Sequence, residues 1–295
     1  MLRPWTFIAA LSVGVIGSRT AEACATCACG DPTLTVMGAE QPFEGRLRLS
    51  FGFDLRSETV GTTTLITTEE QRLSLGASYA VWDWLQVALT VPLARRQVTG
   101  VDLSRDTVYN LGDVDLRARA ILWRDRNFAP SHLLGLTAGL ELPTTPRAVR
   151  DDGTPAPIEA QVGTASFDPL VGLSYAFFAD PLSIYASSTV LVPTRGRFDL
   201  LAGPAWLNTL TVQLQPWTEV AFRLGLDARL DGVAREGDQR DNDTGGFITF
   251  LSPELVVSPM MDLIVRAAVR LPIIDRLNGD HDEGPMVTLG VAYDL

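Results

Sequence analysis

An all-β fold, a transmembrane antiparallel β-barrel of about twelve strands, is the architecture this sequence points to. Three observations carry it. Apolar and polar residues alternate with period two in segment after segment. The connections between segments alternate short and long without a break, as short periplasmic turns and long extracellular loops do. No stretch beyond the N-terminus offers 18 consecutive apolar residues, so no helical span is expected there.

The chain opens with MLRPWTFIAALSVGVIGSRTAEA. Arg3 supplies a positive n-region, Trp5 to Ile16 an apolar h-region, and Ala21-Glu22-Ala23 an A-x-A cleavage site. Residues 1–23 therefore read as a secretory signal peptide. Its removal deletes two arginines and one glutamate, taking the formal net charge from −11 to −12. Residues 24–42 form a Cys-containing periplasmic segment, placed at the pore mouth or folded into the lumen as a plug. Residues 43–295 form the barrel.

The first strand is FEGRLRLSFGFDLR, residues 43–56. Phe43, Leu47, Leu49, Phe51, Phe53 and Leu55 face one way, and Glu44, Arg46, Arg48, Ser50, Asp54 and Arg56 the other. The same split recurs at 69–81, 84–95, 111–123, 132–143, 165–178, 181–193, 206–215, 218–231, 246–257, 261–272 and 284–295. Most spans have the ~9–11 residues a tilted membrane strand needs. Short turns lie at 81–83, 124–131, 179–180, 216–217 and 258–260. Long polar loops lie at 57–68, 96–110, 144–164, 194–205, 232–245 and 273–283. Pro92, Pro143, Pro193 and Pro272 recur at one place in alternate strands, which predicts strand ends. Trp82, Trp84, Trp123, Trp206 and Trp217, with Tyr79, Phe177 and Phe178, fall near strand ends where an aromatic girdle lies.

A soluble secreted β-sandwich also alternates, but its apolar face is its core. Even strand number, loop asymmetry and the chain's last strand favour the barrel. In TLGVAYDL, Leu289, Val291, Tyr293 and Leu295 form one face, as expected of a last strand pairing with the first. Thr288, Gly290, Tyr293 and Leu295 also resemble the C-terminal β-signal read by the barrel assembly machinery. The usual terminal residue of that signal is aromatic, and Leu295 departs from it.

NLGDVDLRARAIL (110–122), with its Gly112-Asp113 strand opening, and the hairpin SYAVWDWLQVALTVPL (78–93) carry a resemblance. The chain is similar to the outer-membrane transporter-like barrels named for the MetA-pathway of phenol degradation, and more loosely to FadL-like fatty-acid transporters. The resemblance implies a passive channel or transporter, not phenol as its substrate.

The predicted lumen carries Arg46, Arg48, Arg72, Arg117, Arg119, Arg223, Arg229, Arg266 and Arg270. They oppose Glu44, Asp54, Asp113, Asp115, Glu141, Glu219, Asp227 and Asp262. Such fixed charges set selectivity along a polar path, or knit a salt-bridge network that fills a narrow barrel. Twelve strands lie between filled eight-stranded barrels and open sixteen-stranded porins, which favours a narrow path.

Cys24, Cys27 and Cys29 admit a disulfide with one thiol left over, a soft-metal site such as Cu(I) or Zn(II), or lipidation of Cys24. Ala21-Glu22-Ala23 is a poor lipobox, and C-x-x-C is not followed by His, against covalent haem. Asp238, Asp241, Asp243, Asp280, Asp282 and Glu283 sit in acidic loops that read as Ca²⁺ ligands or as solvated surface. An enzyme is disfavoured. Only His132 and His281 can serve as a His base, and no Ser-His-Asp arrangement, G-x-S-x-G, P-loop or H-E-x-x-H appears. All 24 basic residues are Arg, spread through an acidic chain, so no nucleic-acid partner is expected. The expected work is passage of a small solute across the outer membrane of a Gram-negative bacterium, with lipid, the assembly machinery and a periplasmic partner as contacts. The alternative is a non-conducting barrel anchoring periplasmic metal or redox machinery through the cysteines.

Overall fold

The computed structural model describes residues 36–60, 66–150 and 153–295. The expected signal peptide and Cys24, Cys27 and Cys29 lie outside the described residues.

Twelve antiparallel strands close into a ring. They are β1 (Leu47–Val60), β2 (Ile66–Trp82), β3 (Leu85–Thr99), β4 (Arg105–Leu111 and Val114–Arg124), β5 (His132–Leu142) and β6 (Asp168–Ala179). β7 (Leu182–Leu191), β8 (Ala205–Trp217), β9 (Val220–Asp231), β10 (Gly246–Met260), β11 (Leu263–Leu277) and β12 (His281–Glu283 and Met286–Asp294) complete it. Each strand pairs with its sequence neighbours, and β12 pairs with β1 from Arg48↔Asp294 to Leu55↔Val287. The Leu47 N–H donates to Leu295 O at 3.0 Å, so the last residue closes the seam.

The apolar face points outward. Along β12 Val287, Leu289, Val291 and Tyr293 are exposed while Met286, Thr288, Gly290 and Ala292 are buried. Leu289 is 49% exposed and Thr288 8%. No second sheet covers these rows among the described residues, so the sandwich alternative fails and the exposed band fits lipid. The interior is polar, with only small apolar clusters. One joins Val98 and Val108 to Ala148, Ala156 and Ala160 of the β5–β6 loop.

The strands run further than expected at the long-loop end. Residues 57–60, 66–68, 96–99, 105–110 and 273–277 are ladder, not loop. Beyond the lipid band both faces of a strand meet water or polar lumen, so hydrophobic alternation fades while pairing continues. Pro143 and Pro193 do follow strand ends, but Pro92 and Pro272 lie inside β3 and β11. Each sits at a register shift. Opposite Pro92 the two halves of β4 are interrupted at Gly112-Asp113, and the Gly112 N–H reaches Pro92 O at 2.8 Å. Opposite Pro272 the β10 register slips between Thr249 and Phe250. A bulge tolerates the missing N–H as well as a strand end does.

The aromatic band is present, with Trp82 and Trp84 stacked at 5.1 Å. Phe178 is not part of it. It packs against the buried cluster of Leu133, Ala176 and Tyr185.

Candidate permeation path

Three sets of inward side chains divide the lumen along its length. At the short-turn end, residues 36–42 lie inside the barrel. Ser78 Oγ donates to Val36 O at 2.7 Å, and Arg119 donates to Gly38 O at 2.6 Å and Ala39 O at 3.0 Å. Arg48 and Arg46 reach the Glu40 carboxylate at 3.0 and 3.2 Å and also pair with Asp294. Burial pushes the Glu40 carboxyl up, but Arg48 and Arg46 outweigh it and the net shift is downward. Gly76 makes room for the segment, since a Cβ there would lie 3.3 Å from Val36 and closer still to Ser50.

In the middle lies a cavity of about 230 Å³ with Val36 in its wall. Six arginines and six carboxylates line it. Ten of these twelve are among the residues picked from the sequence: Asp54, Arg72, Asp113, Asp115, Arg117, Glu141, Arg223, Asp227, Arg266 and Arg270. Arg56 and Glu254 complete the set.

The charges are not evenly mixed. On β4 and β5, Asp115 stands directly opposite Glu141. Arg117 is bound to Asp115 at 2.7 Å. Asp168 on β6 in turn stands opposite Glu141. This wall therefore sets several carboxylates against one arginine. Six places round the ring, Arg223 and Arg266 share Glu254 at 3.2 and 3.6 Å, and Arg270 meets Asp227 at 3.3 Å. That wall sets three arginines against two carboxylates. A solute between the walls meets a field directed across the barrel. A side cleft of about 50 Å³ beside Gly38 and Glu40 shares Arg223 and Arg266 with the cavity and runs toward the short-turn end.

At the long-loop end the β5–β6 connection folds inward. Asp113 accepts hydrogen bonds from Thr145 N at 3.1 Å and Ala165 N at 2.9 Å. Arg96, 1% exposed, donates to Gln161 O at 2.6 Å and is clamped by Glu70 at 2.6 Å. Arg56 and Arg72 each reach the other Glu70 oxygen at 2.8 Å. Gly112 lets the loop approach, because a Cβ would lie 2.9 Å from Pro92 and 3.5 Å from Val162.

The remaining sequence picks fall elsewhere. Glu44, Glu219 and Asp262 are exposed in short turns and line nothing. Period two assigns a face but not a depth, and these three lie just past the strand ends. Arg229 faces inward beyond the cavity, paired with Asp231 and Glu283. Gly290 is inward and packs under Arg266, while Tyr293 and Leu295 face out. Arg96 was missed because its strand was ended at residue 95. Glu70 falls within the expected 69–81 span, on the face of Arg72, and was passed over, as was Glu254, whose strand carries few other charges. Of the acidic loops, Glu283 turns inward and is buried, while Asp238, Asp241 and Asp243 are solvated surface. His132 faces outward beside Tyr175 at 2.7 Å, and His281 lies against Glu58. No serine hydrogen-bonds either histidine side chain among the described residues.

No family model matches the chain, and no curated protein matches it. Solved structures do. An outer-membrane channel from Pseudomonas putida F1 is similar over 87% of this chain and 97% of its own, with a TM-score of 0.69 and 14% identity. The β-domain of the Bordetella autotransporter BrkA follows over 85% of this chain and 100% of its own, with a TM-score of 0.50 and 10% identity. At such identities the likeness is one of fold. The chain has the transmembrane β-barrel fold of outer-membrane proteins.

Proposed function

We propose that the chain is an outer-membrane channel for small polar solutes, with its short turns and residues 36–42 on the periplasmic side and its long loops outside. The polar cavity of about 230 Å³ at mid-barrel carries this reading. A barrel that served only as an anchor needs no such space, and its interior gains by being filled. The similar Pseudomonas putida protein is an outer-membrane channel, which supports the same reading. The opposed acidic and basic walls suit solutes carrying both charges, which can align with the field, better than large neutral ones.

Liposome swelling tests this. Vesicles holding the folded barrel should swell in isosmotic glycine or alanine and hold firm in a trisaccharide. Equal impermeability to all of them, with folded barrel verified in the vesicles, would remove the reading.

A further inference from the structure

A second polar cluster lies apart from the permeation path, at the long-loop end of the seam between β1 and β12. Glu58 stands directly opposite Glu283, and Val60 opposite His281. The two glutamates are only 2% and 3% exposed, and the His281 side chain 5%. Burying two carboxylates face to face is costly without cationic charge beside them. Arg229 supplies part of that charge, donating to Glu283 and to Asp231. Arg56 approaches from the same strand as Glu58, but Glu70 holds it at 2.8 Å.

The His281 ring is the informative group. It is buried, Nε2 lies 2.5 Å from Glu58 Oε1, and Nδ1 has no hydrogen-bond partner. Buried imidazoles normally satisfy both nitrogens. One ligand atom each from Glu58, His281 and Glu283 lies within 4.8 Å of the others. With small side-chain movement, one ion about 2.0–2.2 Å from each can gather all three.

We propose that Glu58, His281 and Glu283 form a binding site for a divalent transition metal, of which Zn²⁺ is the best fit. One imidazole and two carboxylates are a hard-to-borderline donor set, with a fourth position open to water. Two ligands come from β12 and one from β1, so the ion staples the seam where the first and last strands meet. The site stands independently of the channel reading and of the N-terminal cysteines.

The test uses the mature protein with Cys24, Cys27 and Cys29 replaced by serine, folded in detergent and titrated calorimetrically with Zn²⁺. The expected result is one Zn²⁺ per barrel, weakened at least about tenfold by His281→Ala in protein that keeps its folded electrophoretic mobility. Absence of Zn²⁺ binding, or binding unchanged by His281→Ala, would overturn the proposal. If His281→Ala does not fold, Co²⁺ added to the same Cys-to-Ser protein decides. Visible d–d bands that saturate at one Co²⁺ per barrel and are lost on adding Zn²⁺ are expected. No bands, or bands that Zn²⁺ leaves unchanged, would refute the site.

Discussion

Arg119 ties two successive carbonyls of the lumenal segment with one side chain. Its two charge-assisted hydrogen bonds reach the backbone of Gly38 and Ala39, and nothing in the sequence linked that arginine to a stretch 80 residues earlier. Replacing it with alanine should weaken docking of residues 36–42 by about 1.5–3 kcal/mol. The expected readout is a larger or noisier single-channel conductance, with folding unchanged. Glu40 adds a pH dependence to the same latch. Its carboxyl ordinarily titrates near 4.5, and its value in the docked segment is lower. The latch therefore has its full Glu40 contribution above pH 4.5 and loses it as pH falls through the lowered value. Conductance should rise on acidification below about pH 4.5, and Glu40→Gln should abolish that rise. The side chain is 41% exposed, so high salt should blunt the effect. Across the lumen, Glu141 stands between Asp115 and Asp168. Asp115→Asn should move the reversal potential in a salt gradient toward anion preference, and Arg266→Gln toward cation preference.

The strands and loops explain which features could be read in advance. Lipid on one side and water on the other impose period two, so all twelve strands were legible within the membrane band. Past that band the rule has no physical basis, and Arg96 was lost with the strand end that carries it. The inward fold of the β5–β6 loop was not legible either, because its anchors are Asp113 and the backbone of Gly112, residues that look like an ordinary strand opening. Ten cavity charges were found because their faces follow from alternation. Glu44, Glu219 and Asp262 were misplaced because depth along the barrel does not. Asp113→Ala removes the acceptor for Thr145 N and Ala165 N. It should free the loop, seen as faster proteolysis between residues 143 and 167 and a wider conductance distribution, while the barrel stays folded.

For the whole barrel, the sequence places its largest apolar surface outside and its charges within, the reverse of a soluble protein. A charge on the outer face should therefore do more harm than one on the inner face of the same strand. Leu289→Arg should destabilise the barrel in lipid by about 2–4 kcal/mol if Leu289 sits at mid-membrane. Thr288→Arg, one residue away but inward, should mainly alter conductance. Denaturant titration in vesicles separates the two. The account as a whole depends on the mid-barrel cavity joining the two sides of the membrane. Single-channel recording of the refolded mature protein in a planar bilayer tests that directly. A small, steady conductance that grows when residues 24–41 are deleted is the predicted result. Silence from folded protein, both intact and deleted, would contradict it.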